Sequence, residues 1–121
     1  MRLSLLPHRL AIFQSPFAIA PAGSFFSCTI TPSEASYVME GHLVPAGASA
    51  INTGWRALMA AGPLDFSLTG ILSSIAAPLA EARISIFAIS TFDTDYVLVK
   101  EDTLGAAMAQ LRAAGHEVLE S

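Results

Sequence analysis

Residues 84–100 read ISIFAISTFDTDYVLVK, and this stretch decides the fold. Ile84, Ile86, Ala88 and Phe92 alternate with other residues, the period of a strand with two different faces. Tyr96, Val97, Leu98 and Val99 are the aromatic and aliphatic residues that a buried strand favours. Between the two runs, Ser90, Thr91, Asp93, Thr94 and Asp95 crowd into one short turn. Asp and Thr serve turn geometry through their own hydrogen bonds. This many polar groups also make a wall for a small polar ligand. The stretch therefore predicts a β-hairpin with an acidic tip.

On its N-terminal side, Trp55 to Ala61 predicts a strand, and residues 62–70 (GPLDFSLTG) a turn-rich loop. Ile71, Leu72, Ile75 and Leu79 then recur at helical spacing, predicting an amphipathic helix over 69–82. Pro78 falls inside it, removes the hydrogen bond to Ser74 and should bend it. On the C-terminal side, Asp102 or Thr103 can cap a second helix, 102–114, with Leu104, Met108 and Leu111 as its apolar stripe and Gly115 as its stop. His116 to Glu120 can add one more short strand. The order is βαββαβ, the ferredoxin-like arrangement of an α+β protein.

Residues 1–54 show no convincing helix. Leu3 to Leu6, Leu10 to Phe13, Phe25 to Ile30 and Ala35 to Met39 are strand candidates, with Pro16 and Pro21 framing a loop. This half reads as a degenerate repeat that kept its strands and lost its helices. Residues 41–54, rich in Gly, Ala, Pro and Ser, read as the connection. The expected organisation is a truncated half-module, 1–54, and a complete module, 55–121, packed as one compact unit.

Two segments carry a family resemblance. Residues 65–86, DFSLTGILSSIAAPLAEARISI, resemble the ACT-domain pattern, in which a Gly near the start of the first helix follows an acidic residue. Residues 84–104, ISIFAISTFDTDYVLVKEDTL, and residues 25–40, FFSCTITPSEASYVME, resemble the ACT-domain subgroup that includes the CASTOR arginine sensors and small stand-alone bacterial proteins. The resemblance implies a ferredoxin-like ACT module preceded by a truncated ACT-like half-module. It also implies a non-catalytic regulatory protein that binds an amino acid or similar metabolite at a module or subunit interface, commonly as a homodimer, and it suggests that Pro32-Ser33-Glu34 lies near the interface between modules.

Composition limits the other readings. A chain of 121 residues can bury a sizeable core. Its charged fraction is 13%, about half the usual ~25%, and its apolar fraction is 53%. So little charge predicts self-association through apolar surface. The formal net charge of −4 and six scattered basic residues argue against nucleic acid. The single Cys28 excludes an internal disulfide, fits a reducing compartment and reads as a small buried strand residue. Arg2, the apolar 10–20 and Ala18-Ile19-Ala20 outline a leader, but Pro7, His8 and Arg9 break its core, so a cytoplasmic protein is expected. Pro16, Pro21 and Pro32 interrupt the uncharged 10–33, so no membrane span is expected. His8, His42 and His116 have no ligand-type spacing, and neither metal nor cofactor is expected.

The candidate ligand-binding residues are Asp65, Ser67, Thr69, Gly70, Ser85, Ser90, Thr91, Asp93 and Asp95. Free N–H groups at the helix start near Thr69 and Gly70 suit a carboxylate. Asp65, with Asp93 or Asp95, suits an ammonium group, and Ser85, Ser90 and Thr91 can add neutral hydrogen bonds. Equally, Asp65, Ser67 or Thr69 can simply cap the helix. No nucleophile, His or phosphate loop accompanies Asp93 and Asp95, so catalysis is not expected. The alternative is a structural or interaction module with a vestigial pocket.

Overall fold

The computed structural model describes residues 1–60 and 70–120. The chain divides into two units, one of Met1–Pro7 with Arg56–Ser121 and one of His8–Trp55. Eight strands and two α-helices are described: β1 (Arg2–Leu5), β2 (Leu10–Gln14), β3 (Phe26–Ile30), β4 (Ala35–Glu40), β5 (Ser49–Ala60), α1 (Ile71–Glu81), β6 (Ile86–Ser90), β7 (Asp95–Lys100), α2 (Leu104–Ala113) and β8 (Glu117–Leu119). None of the described helices is long and apolar enough to cross a membrane.

The larger unit contains the βαββαβ series β5–α1–β6–β7–α2–β8, in strand order β6-β7-β5-β1-β8. Strand β1 lies between β5 and β8, antiparallel to the first and parallel to the second. The first seven residues therefore go with the C-terminal unit and not with the half-module over 1–54 to which the sequence assigned them. The cause is packing. Leu3 and Leu5 alternate inward and join Leu58, Ala60 and Val118 in the core. The register pairs Leu3 with both Ala60 and Val118. The same core takes Ile75 and Leu79 from α1 and Leu104, Ala107 and Leu111 from α2, so both apolar stripes face the strands. Ile71, Leu72 and Met108 flank it, half-buried.

In α2, Thr103 and Gly115 hold the predicted cap and stop positions, but the side-chain cap bond does not form. Asp102 lies in a 3-10 turn before α2. The Thr103 hydroxyl donates instead to the carbonyl of Lys100 at 3.1 Å. Both helices close with the paired bonds of a Schellman motif. In α2, His116 N–H reaches Leu111 O at 3.0 Å and Gly115 N–H reaches Arg112 O at 3.0 Å, with Gly115 at φ +98°. In α1, Ile84 N–H reaches Leu79 O at 2.9 Å and Arg83 N–H reaches Ala80 O at 3.0 Å. Here the left-handed residue is Arg83, at φ +61°. A side chain in that conformation costs about 1–2 kcal/mol, partly offset by the greater freedom of an unfolded glycine. Arg83→Gly should therefore stabilise the protein by about 0.5–1 kcal/mol in urea unfolding. A loss of stability would show that the Arg83 side chain contributes more than its backbone costs.

The smaller unit is an antiparallel sheet in the order β3-β4-β2-β5, β5 contributing its first part. Its core is Ala11, Phe13, Tyr37 and Met39, with the Phe13 and Tyr37 rings stacked at 5.6 Å. Ile19, Leu43, Val44 and Ala48, from connecting segments, pack on that core, as a helix does in the larger unit. Residues 41–54 are not all connection: 41–43 form a 3-10 turn and β5 begins at Ser49. Cys28 lies on β3, the edge strand beside β4 among the described residues, and is exposed, not buried as the sequence predicts.

The β3–β4 and β6–β7 hairpins repeat sixty residues apart. Phe26 pairs with Met39 and Ile30 with Ala35, while Ile86 pairs with Val99 and Ser90 with Asp95. Each second strand is followed by a 3-10 turn, at 41–43 and 101–103. Each tip closes on a threonine: Thr31 N–H bonds Glu34 O at 2.9 Å and Thr91 N–H bonds Thr94 O at 2.8 Å.

Candidate functional site

Three links gather one end of the larger unit. Buried Thr94 donates its hydroxyl to the carbonyl of Ala60, tying the acidic tip to the last residue of β5. Leu3 stands opposite Ala60 and Arg2 opposite Glu117, so β1 and β8 both start at this end. His116, just before β8, places Nε2 2.8 Å from the carbonyl of Ser74 in the first turn of α1. The acidic tip, the end of β5 and the start of α1 therefore share one end of the unit.

Of the sequence-predicted residues, Gly70, Ser90, Thr91, Asp93 and Asp95 lie at this end. Gly70 is the N-cap of α1, at φ +77°, and among the described residues nothing lies within 4 Å of where its Cβ would stand. The first N–H groups of an α-helix have no partner inside it and carry the positive end of its dipole. Ser90 closes β6 opposite Asp95, the first residue of β7. Asp93 is exposed and Asp95 half-buried. The Thr91 hydroxyl is engaged within the turn, donating to Thr94 O at 3.1 Å and accepting from Thr94 N–H at 3.3 Å. Ser85 does not join them. It precedes β6 at the strand's opposite end, about 16 Å from Ser90 at 3.3 Å per residue. Asp65, Ser67 and Thr69 lie outside the described residues.

Sequence reasoning missed Thr94 and His116. Thr94 resembles its polar neighbours in every respect but burial, and only the nearby end of β5 explains that burial. His116 shows in the sequence as the start of a short strand and as one of three histidines without metal-type spacing, and neither feature points to Ser74. The other two meet in the smaller unit, His8 Nδ1 at 4.0 Å and His42 Nε2 at 3.8 Å from the Glu40 carboxylate, which also accepts the Ser24 N–H at 2.6 Å. At these separations the two histidines and Glu40 do not form a metal site, and no group of three or more His, Cys, Asp or Glu among the described residues is placed to hold a metal ion. Outside the acidic tip, a cleft of about 470 Å³ runs between α1 and α2, lined by Ser74, Pro78, Glu81 and Gln110 with intervening alanines.

Comparison with known proteins places this geometry in context. A family model described as ACT domain matches residues 50–113. The cytosolic arginine sensor for mTORC1 subunit 1 of Homo sapiens is 46% identical over 59 residues, which is 48% of this chain but only 18% of that protein. A crystal structure of an Agrobacterium tumefaciens protein superposes with a TM-score of 0.90 at 34% identity, covering 99% of this chain and 92% of that one. The ligand-free regulatory subunit of aspartate kinase from Thermus thermophilus has a TM-score of 0.65 at 12% identity, covering 93% of this chain and 97% of that one, a likeness of fold alone.

Proposed function

The chain belongs to the ACT-domain family, and from that premise we propose that it is a non-catalytic regulatory module which binds an amino acid or similar small metabolite at an interface with a further module or subunit. One observation carries the reading. The start of α1 and the Asp93–Asp95 tip lie at one end of the larger unit, linked through Thr94, Ala60, Ser74 and His116. A zwitterion asks for such a pair of poles, peptide N–H groups for its carboxylate and carboxylates for its ammonium group. Asp65, Ser67 and Thr69 are proposed as further contacts. Kinship with an arginine sensor supports an amino acid as the ligand class.

Function then follows from linkage. A ligand held at an interface stabilises the assembly that contains it, and a partner reads the change. Exposed Phe17, Ile30, Ile51 and Phe92 supply apolar surface for self-association, and a cytoplasmic homodimer is the proposed form. Sedimentation velocity at micromolar concentration should show a dimer that a bound amino acid tightens. A monomer throughout, with and without amino acids, would contradict the interface.

A second reading has its own observation. Both threonines of the tip spend their hydroxyls on internal bonds, Thr91 on Thr94 and Thr94 on Ala60. A turn so occupied also suits a structural or interaction module whose pocket is vestigial.

A further inference from the structure

Pro78 lies within α1, and a proline has no N–H to offer the carbonyl four residues earlier. That carbonyl belongs to Ser74, and it is the one approached by His116 Nε2 at 2.8 Å. A carbonyl only accepts, so Nε2 is the donor, and in the neutral ring Nδ1 is then an acceptor. Nδ1 is buried and has no hydrogen-bond partner among the described residues. The backbone of His116 is itself pinned, its N–H donating to Leu111 O at 3.0 Å.

We propose that Ser74, Pro78 and His116 form a latch, which holds the first turn of α1 to the corner between α2 and β8 and opens without unfolding the unit. Two features poise it. Closure satisfies the Ser74 carbonyl but leaves Nδ1 buried and unpaired, so part of the gain is lost. Opening costs little on the helix side, because Ser74 is exposed and water can take over its carbonyl. The first turn of α1 starts at Gly70, so the latch governs how firmly that helix end is held. The latch stands apart from the ligand reading and is tested in the ligand-free protein.

The test is amide hydrogen exchange in the full chain, comparing Ser74, Ile75 and Ala76 with Val97, Leu98 and Val99. His116→Ala should speed exchange in the first group on the order of tenfold and leave the second unchanged. His116→Gln keeps a donor near the Nε2 position and should restore slow exchange. Pro78→Ala gives Ser74 an in-helix donor, so in that background His116→Ala should have no effect. The latch is overturned if His116→Ala leaves Ser74–Ala76 unchanged, or speeds both groups equally. It is also overturned if the effect of His116→Ala persists in full beside Pro78→Ala.

Discussion

Ile75→Ala should destabilise the protein by about 2–5 kcal/mol in denaturant unfolding. Ile75 is 1% exposed and sits in the core of the larger unit with Leu79, Val97, Val99 and Leu111. Three carbons are removed from a packed site, so both their burial and the cavity left behind contribute. Collapse is limited because the neighbours come from different elements, α1, β7 and α2, each held in its own register. A cost below about 0.5 kcal/mol is the surface value, and it would mean that α1 does not pack on the strands as described.

In the assembled form, where the proposed interface covers Asp93 and the ligand together, Asp93→Asn should weaken amino-acid binding by about 2–5 kcal/mol, the loss when one partner of a desolvated charge pair is truncated. The substitution keeps the side chain's size and removes its charge. Asp93 is exposed, and the turn is held by Thr91 and Thr94, so the ligand-free fold should stay nearly unchanged. The expected pattern in titration calorimetry is lost binding with an unaltered unfolding midpoint. An unfolded variant, with no binding by the wild type, would favour the structural reading of the tip.

Much of the fold was legible because the side-chain periods are local. Ile71, Leu72, Ile75 and Leu79 mark one helical face, and Ile84–Lys100 marks a hairpin, whatever surrounds them. Partners are not local. Leu3 and Leu5 alternate as a strand should, yet nothing near them says that Ala60 and Val118 are their neighbours. The start of β5 was hidden for another reason. Ser49–Gly54 are mostly small residues, and Ala50 and Gly54 take positive φ beside shifts in register, so the stretch resembles a linker. At the site, residue type pointed to the acidic tip, but alternation cannot tell one end of a strand from the other. Ser85 has suitable chemistry, but it lies at the far end of β6. Thr94 and His116 matter because of what they reach, Ala60 and Ser74, contacts that span 34 and 42 residues.

The central claim is that this chain binds an amino acid, and a thermal-shift series on the wild type against each of the twenty tests it most directly. At a hundredfold excess over its dissociation constant, the right one should stabilise the fold by about 2.7 kcal/mol, and chemically distant ones should not. Twenty flat curves at millimolar concentration would contradict the claim and leave the chain a structural or interaction module.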